Sequence, residues 1–355
     1  MKALSPCANA IEPRSDSQIF VRGGVAGTES KIMPHSERVG VIVVNWNSGD
    51  LLLPCVESIA RQTIAPERVL IVDNASTDDS LGDLEDRFPQ FEVLHQPVNR
   101  GFACANNIAI ERLVDVDWIA LLNPDAIAHP DWLENLLISA RRYPTVASFG
   151  SKMLRPGSDV LDGTGDVYHV SGLAWRRDHG TKNTMTNRET NQIFSPCGAA
   201  AFYRRDALKA VGGFDSRFFC YMEDVDLGFR LRLLGHQSLY VPSAIVEHVG
   251  SGITGRRSDF SVYFGHRNLV WTYFKNMPSA LLYRYLLLHL VVNTIAVPRY
   301  TRRGQGGVVL KAKRDAFGGL KDILRSRREI QLSRTVSTSD LLQSMSTDYS
   351  ALVGR

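Results

Sequence analysis

Cysteine is scarce in this sequence and is not arranged for metal or disulfide chemistry. The five cysteines among 355 residues are widely spaced, odd in number and form no C-x-x-C pair, which argues against a zinc site and against a disulfide framework. Residues 23–28 look like a phosphate loop but lack the Lys-Ser/Thr pair of such a loop. Residues 1–38 contain no apolar run long enough for a signal peptide, and we predict a flexible leader there. These absences favour a reducing, cytosolic compartment.

The composition is that of a globular protein with an uneven charge distribution. Hydrophobic residues make up 44% of the chain and the formal net charge is +4, so we expect a sizeable core and no general disorder. Basic residues concentrate between Arg299 and Arg334. We therefore predict that this end of the chain faces an anionic membrane surface, and we predict no nucleic-acid partner.

Strand-like and helix-like patterns alternate through the first part of the chain. Continuous apolar runs predict buried strands at residues 39–44, 69–72, 91–94, 118–122 and 146–149. Helical spacing of apolar residues lies between them, at residues 51–62, 80–88, 99–113 and 131–142. This alternation predicts an α/β fold with a doubly wound, mostly parallel central sheet and helices on both faces.

Three of the predicted strands end in polar clusters. The clusters are Asn45-Trp46-Asn47, Asp73-Asn74-Ala75-Ser76 and Asn123-Pro124-Asp125. Because ligands of such sheets bind beyond the carboxyl ends of the strands, we expect the clusters to meet at one crevice. Helix capping alone is an alternative explanation for Asp73 or Ser76.

Three carboxylates fall within four residues in the stretch Glu223-Asp224-Val225-Asp226, at the start of a predicted helix. Carboxylates this close resist simultaneous ionisation unless a cation, an arginine or a proton to be accepted lies nearby. Adjacent positions diverge around a helix axis, so we expect one or two of these carboxylates to face the crevice and another to cap the helix or to pair with Arg230 or Arg232. We predict a structural role for Asp226, and we expect Glu223 to be oriented to the acceptor or to a neighbouring arginine. An acidic first turn favoured by the helix dipole is the alternative.

The oxygen-rich clusters suit a divalent cation and a general base. Mg²⁺ and Mn²⁺ are commonly bound by one or two carboxylates together with substrate phosphates, a role open to Asp125. Such an ion neutralises the charge that develops on a departing diphosphate. A carboxylate within reach of an attacking hydroxyl can take its proton, and Asp224 is our candidate for this base. His248 ends an apolar run and is as consistent with a structural residue as with a ligand.

Five motifs then occur in a fixed order. They are Val43-Val44-Asn45-Trp46-Asn47, Val72-Asp73-Asn74-Ala75-Ser76-Thr77-Asp78, Asn99-Arg100-Gly101-Phe102 with Asn106, Leu122-Asn123-Pro124-Asp125 and Phe219-Cys220-Tyr221-Met222-Glu223-Asp224-Val225-Asp226-Leu227. In this order the sequence resembles inverting family 2 glycosyltransferases, and most of all the bacterial rhamnosyltransferase-like members. The resemblance covers about residues 39–278. It implies a GT-A type, Rossmann-like fold whose nucleotide-sugar-binding half (39–150) and acceptor half (151–278) share one sheet.

The resemblance also implies roles for single residues. Asp73 would hydrogen-bond the nucleoside, and Val44 and Asn45 would line the base pocket. The resemblance also implies that Asn99, Gly101 and Asn106 help to hold the nucleotide side and that Arg267 approaches the diphosphate or the acceptor. The meeting of the strand ends adds Asn47, Asn74, Ser76 and Asn123 as predicted substrate-binding residues. The metal ligands would be Asp125 and His248, and the catalytic residues Asp224 and Glu223. Because Asn123 stands at the first position of the family's D-x-D motif, metal affinity would rest on one carboxylate plus the diphosphate.

The C-terminal region is predicted to be helical. The apolar run at residues 280–297 is interrupted by Arg284, His289 and Asn293, so we expect it not to span a bilayer. Further on, apolar residues recur at helical spacing among basic ones, which is typical of a helix at an anionic interface: Leu310, Phe317, Leu320 and Leu324. A helix pair packed on the enzyme with a solvated basic side is the alternative. We predict amphipathic, membrane-associating helices at residues 279–330 and a flexible tail at residues 331–355.

The leading hypothesis is an inverting glycosyltransferase. It would transfer rhamnose or a similar sugar from a dTDP- or UDP-sugar to a saccharide or lipid-linked saccharide acceptor in cell-surface polysaccharide assembly, on the inner face of the cell membrane. The Q-x-x-R-W motif of processive synthases is missing after Asp226, which predicts one or a few additions per encounter. A sugar nucleotidyltransferase is an alternative, but it should carry a Gly-rich basic loop where Asn45-Trp46-Asn47-Ser48 stands. A non-catalytic nucleotide-sugar-binding, membrane-associated protein is another, but it should have lost Asp125 or Asp224.

Overall fold

A mixed ten-stranded β-sheet runs through the computed structural model, which describes residues 37–184, 189–250, 255 and 257–352. Its strands are β1 (Val39–Asn45), β2 (Arg68–Asp73), β3 (Glu92–His95), β4 (Trp118–Leu122), β5 (Ala126–Ala128), β6 (Ser148–Leu154), β7 (Leu161–Gly163), β10 (Asn191–Ile193), β11 (Ala200–Arg204) and β12 (Ser238–His248). A separate hairpin consists of β8 (Asp166–Tyr168) and β9 (Ala174–Arg176). Of the predicted leader, residues 1–36 lie outside the described residues.

The described helices follow the same chain order. They are α1 (Leu52–Ala60), α2 (Leu84–Arg87), α3 (Gly101–Arg112), α4 (Trp132–Arg142), α5 (Arg205–Ala210), α6 (Glu223–Leu233), α7 (Asp259–Asn276), α8 (Ser279–Thr301), α9 (Gly306–Gly318), α10 (Leu320–Leu332) and α11 (Thr338–Gln343). The predicted helix at residues 80–88 is reduced to the single turn of α2. Gly82, with a φ of +44°, and the side-chain contacts of Asp78 with Ser80 hold the preceding residues in a turn.

The sheet is parallel in its first half and mixed in its second. The strand order is β10-β12-β6-β11-β4-β1-β2-β3, with β5 beside β12 and β7 beside β6. Strands β4, β1, β2 and β3 run parallel, as the alternating pattern predicts. Strand β11 runs antiparallel to both β4 and β6. The α/β class is confirmed, but "mostly parallel" describes the first half only, because β11 follows a series of hairpins and not a helical crossover.

Helices cover both faces of the sheet, as predicted. Alternation along β1 directs Val41 and Val43 into one core layer and Ile42 and Val44 into the other. Helices α1 and α4 close the first layer. Helices α3, α5 and α6 close the second. This arrangement leaves the carboxyl ends of β1, β2 and β4 open at one edge.

Helices α7 to α10 form a C-terminal layer that packs around α6. The interfacial helix predicted from residue 308 is two helices, α9 and α10, which meet at Gly318 and Gly319. A Cβ atom on Gly319 would lie 2.6 Å from the ring of Trp271, so this close approach requires glycine. Leu320 packs inward against the cluster of Phe218 and Trp271. Its predicted place on the interfacial face is therefore wrong.

Helix α8 is long and apolar enough to cross a membrane by length and composition, and this holds for no other helix among the described residues. That property alone is weak evidence of crossing. Four of its residues are buried against the rest of the protein, Leu281, Leu282, Tyr285 and His289. His289, one of the polar interruptions seen in the sequence, is buried, and its Nδ1–H donates to the carbonyl oxygen of Ser171 at 2.7 Å.

The predicted flexible tail is packed on the rest of the protein. Leu341 is 3% exposed and Met345 is 7% exposed, both within a core cluster that also contains Tyr168 and Phe229. The backbone N–H of Ser346 donates to the carbonyl oxygen of Tyr168 at 2.8 Å. The prediction of a flexible tail is therefore wrong for the described part, residues 331–352. The prediction followed the Ser- and Thr-rich composition, in which a few buried apolar side chains carry little weight.

Candidate active site

A cavity of about 330 Å³ opens where β1 and β4 end and α6 begins. Asp125 and Asp224 both belong to its wall. The predicted site residues found in the wall are Val44, Asn74, Asn99, Gly101, Asn123, Asp125, Glu223, Asp224 and His248. Trp46, next to β1, lines it as well. The polar strand ends therefore meet at one crevice, as the sequence predicts.

A chain of amide groups shapes the wall beside β2 and α3. Asn74 donates from Nδ2 to Oδ1 of Asn99 at 2.9 Å, and its own Oδ1 accepts from the N–H of Arg100 at 2.9 Å. Oδ1 of Asn99 also accepts from the N–H of Gly101 at 2.8 Å. Gly101 has a φ of +79°, and a Cβ atom there would lie 2.5 Å from the carbonyl oxygen of Phe219. Glycine thus allows α3 to approach the loop that precedes the acidic pair.

Asn45 joins several loops but does not line the cavity. It is 0% exposed, and its Nδ2 donates to Oδ1 of Asp73 at 3.1 Å, to Oγ of Ser76 at 3.1 Å and to Oγ of Ser80 at 2.9 Å. Its Oδ1 accepts from the hydroxyl of Ser48. The expectation that Asn45 lines a base pocket disagrees with this placement, because all of its polar atoms are bound within the protein.

Four other predicted substrate-side residues lie outside the cavity wall, namely Asn47, Asp73, Ser76 and Asn106. The N–H of Asn47 donates to Oγ of Ser76 at 3.1 Å, and Oδ1 of Asn47 accepts from the N–H of Thr77 at 2.7 Å. Asn106 is buried and donates to the carbonyl oxygen of Phe102 at 2.9 Å. These contacts order the loops and the helix around the cavity.

His248 lies between two carboxylates at the end of β12. Its Nε2 is 3.2 Å from Oδ1 of Asp125, and its Nδ1 is 2.7 Å from Oδ2 of Asp162. Burial lowers the pKa of His248, but hydrogen bonds to Asp125 and Asp162 outweigh burial, so that pKa is raised above its usual value. Burial raises the pKa of Asp162, yet the contacts with His248 and Arg176 bring that pKa below its usual value. Sequence analysis missed Asp162.

Glu223 and Asp224 begin α6 and face the cavity. Asp224 accepts from the N–H of Gly198 through Oδ2 and from the N–H of Val225 through Oδ1, each at 2.8 Å. Burial raises the pKa of Asp224 despite these bonds. Burial and the neighbouring Asp224 raise the pKa of Glu223 well above its usual value. Oε2 of Glu223 is buried and has no hydrogen-bond partner among the described residues, so it is available to a ligand in the cavity.

Asp226 is structural, as expected, and 0% exposed. Its Oδ2 accepts from Nε of Arg230 at 2.9 Å and from Nζ of Lys275 at 2.8 Å, while Oδ1 accepts from Nδ2 of Asn276 at 2.8 Å. This carboxylate therefore ties α6 to α7 and faces away from the cavity.

The β8–β9 hairpin adds three residues that sequence analysis missed, Asp166, Trp175 and Arg176. Asp166 accepts from the hydroxyl of Ser195 at 3.2 Å. Burial, followed by the charge of Asp224, raises the pKa of Asp166 well above its usual value. Arg176 pairs with Asp162. The three-residue strands carry too little periodicity to be recognised, and an aromatic-basic pair within a loop over the cleft was the one available indication.

The cavity wall is rich in negative charge. It contains the carboxylates of Asp125, Asp166, Glu223 and Asp224, against the guanidinium of Arg176. A diphosphate would add further negative charge. Such a ligand requires a compensating cation or protonated carboxyl groups in the wall.

The described residues contain no group of three or more His, Cys, Asp or Glu side chains placed to hold a metal ion. Asp125 and His248 nevertheless offer one oxygen and one nitrogen donor side by side. Asp162 can accept the Nδ1 proton of His248, which is the usual arrangement behind a metal-binding histidine. These residues fit a divalent ion whose remaining ligands come from substrate phosphates and water.

Arg267 does not lie in the cavity wall, which corrects its predicted contact with the diphosphate or the acceptor. Its Nη2 donates to the carbonyl oxygens of Arg217 and Phe218, each at 2.9 Å. Its guanidinium also lies 4.2 Å from the ring centre of Trp271. Arg267 thus binds the backbone behind the acidic pair.

A parallel half-sheet that ends in a polar crevice, joined to a mixed half and to a helix, α6, that begins with an acidic pair, is typical of a GT-A type glycosyltransferase. A family model described as glycosyl transferase family 2 matches residues 40–212. The chain is also 32% identical, over 237 residues, to N-acetylglucosaminyl-diphospho-decaprenol L-rhamnosyltransferase of Mycobacterium tuberculosis, covering 61% of this chain and 77% of the relative. The chain belongs to glycosyltransferase family 2.

Further comparisons agree with this assignment. The O-antigen chain rhamnosyltransferase RfbN of Salmonella typhimurium is 24% identical over 231 residues, covering 64% of this chain and 70% of the relative. The crystal structure of GalNAc-T7 with UDP, GalNAc and Mn²⁺ superposes with a TM-score of 0.64 at 14% identity, covering 90% of this chain and 58% of that one. A mannosyltransferase from Pyrobaculum calidifontis, solved with GDP-Man and Mn²⁺, gives a TM-score of 0.52 at 17% identity, covering 84% and 87%. These structures confirm the fold.

Proposed function

We propose that this enzyme transfers a single sugar, rhamnose or a similar one, from a dTDP- or UDP-sugar to a hydroxyl group of a lipid-linked saccharide, with inversion at the anomeric carbon. The observation that carries the proposal is the presence of Asp125 and Asp224 in the wall of one cavity. One carboxylate is suited to the leaving diphosphate and the other to the incoming hydroxyl. The rhamnosyltransferases among the relatives favour the sugar and the acceptor class.

The nucleotide would occupy the side of the cavity formed by β1, β2 and α3. Val44 and Trp46 offer an apolar surface for the base. Asn74, Asn99 and Gly101 form the connected wall beside it. Asn45 and Asp73 would contribute indirectly, because the bond between them fixes the loops that carry this wall.

Asp125 and His248 would hold Mg²⁺ or Mn²⁺ together with the diphosphate. When bound, the ion supplies positive charge against the negative charge that develops on the leaving group. Asp162 would orient the imidazole of His248 through Nδ1. The excess of carboxylates in the wall favours this compensation, since Arg176 is already paired with Asp162.

Asp224 would accept the proton of the acceptor hydroxyl as its oxygen attacks the anomeric carbon. Two backbone N–H groups fix this carboxylate, and its raised pKa makes it a stronger base than an ordinary aspartate. Glu223, whose pKa is raised further, would donate a hydrogen bond to the acceptor or the sugar when protonated. Attack from the face opposite the diphosphate gives inversion.

The acceptor would be reached at the cytoplasmic face of the membrane. Large apolar side chains are exposed along one side of α8, at Tyr283, Leu287, Leu290, Val291 and Ile295, and on α9, at Leu310 and Phe317. Exposed basic residues follow closely at Arg302, Arg303, Lys311 and Arg314. An apolar face bordered by basic residues suits a bilayer that contains anionic lipid.

The donor is identified by thermal stabilisation. We expect dTDP- or UDP-sugars to raise the melting temperature in the presence of Mn²⁺, because only ligands of the folded state do so. Turnover should release a nucleoside diphosphate. Release of pyrophosphate from a sugar phosphate and a nucleoside triphosphate would instead identify a nucleotidyltransferase.

The base is tested with Asp224→Asn. We expect this variant to keep donor-induced stabilisation and to lose transfer by about 10²–10⁴-fold, the usual contribution of a general base. Asp86→Asn, at an exposed carboxylate on α2, is the matched control and should retain wild-type turnover. Wild-type turnover in Asp224→Asn would assign the proton to another group.

The membrane surface is tested with the double variant Leu287→Gln and Ile295→Gln, at positions 75% and 59% exposed. We expect weaker flotation with anionic liposomes and unchanged donor-induced stabilisation. Val114→Gln, at another exposed apolar side chain, is the control. Equal flotation of all three proteins would refute the assignment of this face to the bilayer.

A further inference from the structure

The loop that leads into the acidic pair has an unusual backbone. Phe219, Tyr221 and Met222 have φ values of +67°, +66° and +68°. This left-handed region disfavours side chains with a Cβ atom, and bulky residues adopt it only when surrounding contacts impose it. Met222 immediately precedes Glu223 and Asp224, so the conformation of this loop determines where both carboxylates lie.

A single side chain on α7 binds the carbonyl groups of this loop. Nδ2 of Asn268 donates to the carbonyl oxygens of Phe218 at 2.9 Å, Cys220 at 2.9 Å and Tyr221 at 2.7 Å. Asn268 is 0% exposed. An amide group has two N–H donors, so at least one of them is shared between two carbonyl oxygens. The three contacts tie the carbonyl groups of the loop to one nitrogen and so stabilise the observed loop conformation.

Arg267 determines which way the amide of Asn268 points. Nε of Arg267 donates to Oδ1 of Asn268 at 2.9 Å. This contact places Nδ2, and not Oδ1, against the loop. Nη2 of Arg267 also binds the carbonyl oxygen of Phe218, so two neighbouring residues of α7 bind the same turn.

We propose that Asn268 is a positioning residue for glycosyl transfer. It holds the strained loop of residues 218–222 so that α6 begins with Asp224 and Glu223 at the cavity. On the opposite side, the carbonyl oxygen of Phe219 accepts from the N–H of Ala103 at 3.2 Å. The loop is thereby fixed between α3, beside the nucleotide side of the cavity, and α7. The inference rests on the proposed role of Asp224 as the base.

Loss of this positioning should affect the chemical step more than donor binding. The donor side of the wall comes from β1, β2 and α3, whereas the side-chain amide of Asn268 donates to the loop of residues 218–222. Displacement of a catalytic group by about 1 Å can cost roughly 10²-fold in rate. A purely structural role would instead lower stability and leave turnover of the folded enzyme unchanged.

The test compares Asn268→Ala with Thr272→Val in the full-length protein. Thr272 is also buried on α7, one turn further on, and its hydroxyl donates within the helix, to the carbonyl oxygen of Asn268 at 2.9 Å. Steady-state release of nucleoside diphosphate is measured well below the melting temperature of each variant. We expect kcat of Asn268→Ala to fall by about 10–100-fold with the donor KM within about twofold of wild type, and Thr272→Val to keep wild-type kcat.

Asn268→Ser, which retains one donor, should give an intermediate kcat and serves if the alanine variant does not fold. A kcat within twofold of wild type in a folded Asn268 variant would overturn the inference, as would an equal loss of kcat in Thr272→Val. Failure of the proposed function is distinguishable, because wild-type protein would then release no nucleoside diphosphate with any sugar donor.

Discussion

Replacement of Asp226 should destabilise the enzyme strongly, although this residue lies two positions from the proposed base. Its carboxylate is fully buried and accepts from Arg230, Lys275 and Asn276. Removing one partner of a buried ion pair leaves uncompensated charge and costs about 3–5 kcal/mol. In Asp226→Asn, Lys275 would keep one carboxylate partner, Asp215 at 2.6 Å, whereas Arg230 would keep only the carbonyl oxygens of Val211 and Gly213.

Asp226→Asn and Asp226→Ala should lie at opposite ends of this range of about 3–5 kcal/mol. Oδ1 of Asn276 has no hydrogen-bond partner among the described residues, so rotation of its amide would supply an acceptor for the new N–H groups of Asp226→Asn. The hydrogen bond is then recovered and only the charge is lost, which predicts about 3 kcal/mol. Asp226→Ala loses both and should cost about 5 kcal/mol. For a chain of 355 residues, the smaller value corresponds to a fall of about 4 °C in melting temperature.

Thermal and urea unfolding of the two variants measure these losses. Asp322→Asn is the control, because Asp322 pairs with Arg325 on the surface of α10, with side chains 62% and 68% exposed. Such an exposed pair contributes about 0–1 kcal/mol. If Asp226→Asn unfolds within about 0.5 kcal/mol of Asp322→Asn, the buried network does not stabilise the junction of α6 and α7 as argued.

Two further predictions concern the metal site and the C-terminal helices. Asp162→Ala removes the acceptor at Nδ1 of His248 and should weaken Mn²⁺ binding in the presence of nucleoside diphosphate by about 10–100-fold. Calorimetric titration compares the Mn²⁺ affinity of this variant with that of the control Asp86→Ala. Equal affinities of the two variants would contradict the role of Asp162. Burial lowers the pKa of Lys313 to about 7, below its value of about 10.4 in the unfolded chain. Between these two pH values the unfolded chain therefore binds more protons than the folded one. The free energy of unfolding attributable to Lys313 then rises with pH. The free energy of unfolding of wild type relative to Lys313→Met should therefore increase from about pH 7 to pH 10, and a difference that stays constant would refute the shift.

Much of the site was predictable because it follows short, strongly patterned strands. A continuous apolar run ending in polar residues fixes both the strand and its carboxyl end, and such ends meet at one edge of a parallel sheet. Asn74, Asn123 and Asp125 were therefore expected at one crevice and lie there. Asp224 and Glu223 were expected from the cost of clustered carboxylates. The separation of Asp226 from this pair was expected from helix geometry.

Other features depend on contacts that a local pattern does not encode. Asn45 is the last residue of β1 and Asn74 directly follows β2, yet the amide of Asn45 faces inward and binds Asp73, Ser76 and Ser80. Arg267 carries a charge typical of a phosphate contact, but the approach of α7 directs it to backbone carbonyl groups. Asp166 and Arg176 reach the cavity only because a short hairpin folds over it.

The sequence by itself determined the α/β class, the parallel half of the sheet and the acidic pair, because these depend on periodicity and on charges close together in the chain. The tertiary structure decided which polar side chains face the cavity. It also decided that the predicted tail packs through Leu341 and Met345, and that Asn268 binds the loop before α6. Each of these depends on which residues distant in the chain come into contact, and burial of a polar group is favourable only when such a partner is present.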